Sequence, residues 1–153
     1  MAGGYYGFDA QNRHLAPSSL QYGGCAAALL NETAHAAKEC GRDPSGLGRW
    51  TFIRIQGKVV DGQAKDLVVV SAYRPNKPNQ GSSTVHAQHS QYFRSTGKKR
   101  NPRQAFLTDL RKAIQTWRNE GCEVIVGVDA NEDVSIHHPT SFRYQMHAMG
   151  LDE

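Results

Sequence analysis

The chain has 153 residues, 39% of them hydrophobic and 21% charged, with a mean hydropathy of -0.60. That is the size of one ordinary domain, with no run near the roughly 18 apolar residues of a membrane helix and only three cysteines, too few for a disulfide scaffold. The net charge of +4 is unevenly spread: residues 61–110 carry 8 Lys or Arg against 3 Asp or Glu, and residues 111–153 carry 4 against 7.

Residues 1–23, rich in Gly, Tyr, Ser and Gln, show no sustained period and read as loop, with Tyr5, Tyr6, Phe8 and Tyr22 available for packing. The stretch 24–40 begins with Cys25-Ala-Ala-Ala-Leu-Leu30, whose alanines favour helix, although so short an apolar run also suits a buried strand. Gly41 to Gly48 reads as a loop. Trp50, Phe52, Ile53 and Ile55 predict a strand, and Gln56-Gly57-Lys58 a turn after it. Asp66 to Tyr73 is a continuous apolar run, the pattern of a central strand covered on both faces. The short connection makes these two strands antiparallel neighbours, and Arg74-Pro75 ends the second because proline cannot donate to the ladder.

Ser82 to Phe93 is predicted helical. Asn101-Pro102 starts a longer helix, with Asn as cap and Pro at the first position. Phe106, Leu107, Leu110, Ala113, Ile114 and Trp117 form its apolar face, and Gly121 ends it. Glu123 to Asp129 predicts a second buried strand, and Ser141 to Met149 a final helix on Phe142, Met146 and Met149. Strand, helix, strand in this order predicts one α/β (α+β) layered domain over residues 1–153, without repeats.

Cys25, Cys40 and Cys122 are odd in number, widely spaced and without a C-x-x-C pair, so they read as buried or reduced thiols. Together with an N-terminus lacking an apolar signal segment, they predict an intracellular protein, nuclear or cytoplasmic, with no membrane association. Of the seven histidines, His86 and His89 are spaced i, i+3 and His137 and His138 are adjacent, but no zinc-finger spacing occurs.

Chemistry-bearing side chains gather where the two hydrophobic strands end. Tyr73, Arg74 and Asn76 follow one; Asp129, Asn131, Glu132 and Asp133 follow the other. Asp129 and Asn131 alternate along an extended segment and can point the same way. A carboxylate beside an amide can orient a water and hold a phosphate oxygen, and oxygen ligands suit magnesium; an ordinary polar turn is the plainer reading. Lys98, Lys99 and Arg100, with Arg94 and Arg103, form the most basic part of the chain, suited to phosphates, or simply a solvated face.

Tyr73-Arg-Pro-Asn76 after one strand, then an amphipathic helix, then Gly127-Val-Asp129-Ala-Asn131 resembles the endonuclease/exonuclease/phosphatase superfamily, with its DNase I-like fold. The chain looks nearest to the endonuclease domains of non-LTR retrotransposons. Gly23-Gly24 and Gly46-Leu-Gly-Arg-Trp50 are further landmarks, and the resemblance spans residues 23–151. It implies a layered β-sandwich flanked by helices, in which residues 24–30 are a strand. It also implies hydrolysis of nucleic-acid phosphodiesters, DNA before RNA, with magnesium or manganese as cofactor. By that resemblance Tyr73 and Asn76 lie against the scissile phosphate. Asp129 positions or deprotonates the attacking water, and Asn131 orients substrate and metal ligands. Arg74, Lys98, Lys99 and Arg100 hold flanking phosphates.

The pattern is incomplete. The family's metal-binding Glu lies ahead of the Gly23-Gly24 segment, and residues 1–22 contain no Glu. Its late Asp-His pair would follow Leu151, Ala130 stands where a Phe is familiar, and His137, His138 and His147 lie outside the expected context. The chain therefore reads as the middle of such a domain, with no metal ligand assigned and little or no hydrolysis expected. The alternatives are a catalytically dead nucleic-acid-binding remnant and a phosphatase acting on a small phosphorylated substrate.

Overall fold

The computed structural model describes residues 5–15, 22–57, 59–60, 62–78, 81–133, 135 and 138–151. Lys58, Asp61, His137 and the side chains of Tyr5, Tyr6 and Phe8 lie outside the described residues. The architecture is mixed α and β, in two units: residues 1–73 with 113–128, and residues 74–112 with 129–153.

The first unit holds the strands. β1 (Tyr5–Ala10) pairs antiparallel with β2 (Cys25–Leu30), Ala10 opposite Cys25. A 3-10 turn over Asn31–Ala36 leads to β3 (Ala37–Arg42), followed by β4 (Trp50–Ile55), the short ladder β5 (Val59–Val60) with β6 (Gln63–Ala64), β7 (Leu67–Tyr73) and β8 (Glu123–Asp129). A four-stranded sheet runs β3-β4-β7-β8. β4 is antiparallel to both β3 and β7. β8 runs parallel to β7: the Glu123 N–H bonds the Asp66 carbonyl at one end, and the Arg74 N–H bonds the Asp129 carbonyl at the other, both at 2.9 Å. β1 and β2 pack across β4, and β2 also meets β7.

Two segments depart from the reading by composition and propensity, and in one of them, residues 24–30, the strand implied by the resemblance is what forms. Residues 5–10, expected as loop, are strand, and residues 24–40, where alanine favoured helix, form β2 and β3 around the 3-10 turn. In both cases the ladder partner decides. β1 and β2 complete each other and β3 completes β4, which outweighs a local propensity of only tenths of a kcal/mol per residue.

The core of this unit is Trp50, Ile53, Val68 and Val70, all buried, with the Phe52 ring tilted against Trp117 at 4.9 Å between centroids. β7 buries Val68, Val70 and Ala72 on one face and half-covers the other. β8 departs from the two-sided burial expected of its apolar run. It is the last strand of its sheet, Glu123, Ile125, Gly127 and Asp129 face outward, and Ile125 remains 56% exposed. Apolar composition marks a strand but not how many of its faces are covered.

The loop before β4 is built around a buried ion pair. Arg49 donates to Asp43 through Nε at 2.5 Å and through Nη2 at 2.9 Å, and the Ser45 hydroxyl adds a bond to the same carboxylate at 2.7 Å. Both charged residues are 2% exposed, and the Arg49 guanidinium lies over the Trp50 ring. Gly48 makes the turn possible: its φ is +72°, and a Cβ there would stand 2.5 Å from the Gln11 carbonyl carbon.

The second unit holds α1 (Val85–Ser95), the first part of α2 (Pro102–Asn119) and α3 (Phe142–His147). Thr84 caps α1 by accepting the Ala87 N–H, and Ser141 caps α3 by accepting the Tyr144 N–H. Asn101 caps α2 as expected, its side-chain oxygen accepting from the Arg103 and Gln104 N–H groups. Phe106, Leu107, Leu110, Ile114 and Trp117 are buried, which is the stripe expected for this helix. Among the described residues no helix is long and apolar enough to cross a membrane.

Candidate functional site

The residues from Arg74 onward and from Asp129 onward meet within the second unit. The Asn131 side-chain amide donates to the Arg74 carbonyl at 2.7 Å, and the Asn131 N–H donates to Asp129 Oδ1 at 3.0 Å. Asn131 has φ +48°, a left-handed conformation that asparagine tolerates better than most side chains. The Asx turn so formed leaves the Asp129 carboxylate exposed at the end of β8. Asp133, also exposed, accepts the Ser135 hydroxyl and N–H, and these bonds lower its pKa from the ordinary value.

Beneath this turn lies a cluster of charges. Arg74 and Arg103 both donate to Oε2 of Glu132, Arg103 at 2.9 Å. Arg103, in the first turn of α2, also donates to the Pro75 carbonyl at 2.6 Å and to the Asn131 carbonyl at 3.4 Å, tying the two segments together. Arg74 is 4% exposed and Arg103 9%, and the Arg74 guanidinium lies 5.5 Å over the Phe142 ring. Burial, and then the positive charge of Arg103, lower the Arg74 pKa. A phosphate therefore reaches Arg74 only by displacing Glu132.

Asn76 is half-buried, and its side-chain oxygen accepts the His86 N–H at 3.2 Å, which satisfies a free donor in the first turn of α1. Tyr73, the last residue of β7, is half-buried and belongs to the first unit. The structure thus joins Arg74, Asp129 and Asn131 in one hydrogen-bonded arrangement and gives Asn76 a separate capping role.

Lys98, Lys99 and Arg100 stand apart from that arrangement, in the exposed connection between α1 and α2. With Arg94, Ser90 and Phe93 they line an open groove of about 460 Å³. Arg100 pairs with Asp109 at 2.7 Å, with its guanidinium 5.5 Å from the Phe93 ring. Lys98, Lys99 and Arg94 make no ion pair among the described residues.

Magnesium takes several oxygen ligands. Among the described residues no three His, Cys, Asp or Glu side chains converge as a metal site. Glu132 is neutralised by two arginines, and one Asp129 oxygen is engaged by the Asn131 N–H. This donor set does not fit a resident divalent cation.

Glu132 as the shared counter-ion of Arg74 and Arg103 was not apparent from the chain alone. One signal was present: an arginine flanked by a buried strand and a proline needs a carboxylate, and Glu132 follows the other strand end. No protein-family model matches this chain, and neither a curated protein nor a solved structure matches it.

Proposed function

We propose that this chain is a nucleic-acid-binding domain of the endonuclease/exonuclease/phosphatase type, DNase I-like in fold, with weak or no hydrolytic activity. It holds DNA in preference to RNA by its phosphates. The observation that carries the reading is the groove between α1 and α2, where Arg94, Lys98, Lys99 and Arg100 present four cations, of which Arg100 alone is ion-paired among the described residues, to Asp109. Exposed Lys and Arg bind a phosphate backbone largely by releasing its counterions, without reading sequence. Phe93 is buried, so the groove lacks an open ring on which a base could stack; this favours backbone contact.

Asp129 supports a hydrolytic reading as well, since its exposed carboxylate lies beside Asn131, where the resemblance puts a water-positioning acid. The two readings part in one experiment. Duplex DNA is mixed with the full chain, with and without magnesium or manganese, and both binding and plasmid nicking are followed. The binding reading expects association without turnover, weakened by Lys98→Gln, Lys99→Gln and Arg100→Gln together. Metal-dependent nicking lost in Asp129→Ala establishes the hydrolase instead, and absence of DNA binding overturns the proposal.

A further inference from the structure

The charge cluster under the Asp129–Asn131 turn is out of balance. Two guanidiniums share one carboxylate oxygen, so the trio carries one excess positive charge. Among the described residues Arg74 Nε is buried without a hydrogen-bond partner, and so is His86 Nε2. Burial and the nearby Arg103 lower the His86 pKa, so its ring adds no charge near neutral pH. Unpaired buried donors cost free energy, and those on charged groups cost most. A cluster of this composition is better satisfied by an anion with more charge and more oxygens than a carboxylate.

We infer that Arg74 and Arg103 form a binding fork for a terminal phosphate group, and that the carboxylate of Glu132 occupies it as a built-in stand-in. A phosphomonoester carries about -1.5 to -2 charges near pH 7 and three acceptor oxygens. It matches two guanidiniums in charge and has an oxygen to spare for Arg74 Nε. A phosphodiester carries a single charge, as Glu132 does, and gains nothing in the exchange. The fork therefore selects inorganic phosphate, a phosphorylated strand end or another phosphomonoester over the internal phosphates of a nucleic acid. Entry needs no movement of β8: Glu132 lies beyond the strand, and its side chain, 12% exposed, already reaches solvent. The inference concerns buried arginines and does not depend on the exposed groove.

The test measures inorganic phosphate binding by calorimetry at constant ionic strength, with chloride as the balancing anion. It uses the full chain carrying Lys98→Gln, Lys99→Gln and Arg100→Gln, so that the surface groove does not contribute. Adding Glu132→Gln is expected to tighten phosphate binding about tenfold, the gain of one charged hydrogen bond, and Arg103→Met to abolish that gain. Oligonucleotides with and without a 5′-phosphate distinguish a strand end from free phosphate: a preference for the phosphorylated strand assigns the strand end, and equal binding leaves the free monoester. In the unsubstituted chain, the Arg74 Nε–H resonance is expected to shift as phosphate is added. A folded Glu132→Gln variant that binds phosphate no better than its parent overturns the inference. If that variant does not fold, the resonance decides, and its failure to move overturns the inference equally.

Discussion

Asp66 is one source of acid sensitivity in the fold. Its carboxylate accepts from Lys38 Nζ and Arg54 Nε, each at 2.8 Å, and from the Gly57 N–H at 3.2 Å. The Lys38 bond above all, with the Gly57 and Arg54 bonds, holds its pKa down from 3.8 to about 2. A carboxyl depressed in the folded state contributes stability that is fully present above its unfolded value and lost as pH falls through the folded one. The stability gap between the natural chain and Asp66→Asn should therefore be widest above about pH 4 and close toward pH 2. Urea unfolding at a series of pH values measures it, and a gap constant across that window would remove Asp66 from the account. Cys25 shows the opposite case: burial, then Asp43, push its thiol up to about 12, which leaves it protonated and unreactive at ordinary pH.

Between elements, one tight fit is where β3 meets β4. A Cβ on Gly41 would stand 2.5 Å from the Phe52 ring, and that ring is backed by Trp117. Valine is a better strand former than glycine, yet Gly41→Val should destabilise the chain by about 1–3 kcal/mol through overpacking. Phe52→Ala in the same background should recover part of the loss, because the two sites share one contact. Additive losses in urea denaturation would refute the clash. The same elements show what the sequence discloses. α2 was legible because its stripe from Phe106 to Trp117 records a single buried face, and β4 and β7 because their apolar residues crowd between clear turn signals. β1, β2 and β3 were not legible from composition. Their residues are small or mixed, and what makes them strands is a partner distant in the chain. Of the candidate site, Asp129 and Asn131 stood out at a strand end. The occupancy of Arg74 did not, because the charges around it depend on a bond between residues 29 apart, Arg103 and Glu132.

At the scale of the whole molecule, the net charge of +4 says less than its placement. The buried arginines Arg49, Arg74 and Arg103 are paired internally. The exposed cations of the α1–α2 connection remain available to a polyanion. Each phosphate neutralised contributes about 0.9 to the slope of log K against log salt. Replacing Lys98, Lys99 and Arg100 together by Gln should reduce that slope by about 2 rather than 3, because Arg100 is already half-engaged by Asp109. Fluorescence anisotropy of a labelled duplex over a salt series reads it directly. An unchanged slope would place the phosphate contacts elsewhere on the surface.

The Asp43–Arg49 pair bears on how such chains are recognised at all. The Gly46-Leu-Gly-Arg-Trp50 landmark is held by a glycine that admits no Cβ and by an arginine whose charge is sealed inside the loop. Loss of either residue is paid in stability, whether or not the protein cuts anything. A folded chain needs this loop whether or not it catalyses anything, so the landmark reports on fold and carries no vote on activity. Chemistry is better tested at residues whose loss leaves folding intact, and Asp129, exposed at the end of β8, is of that kind.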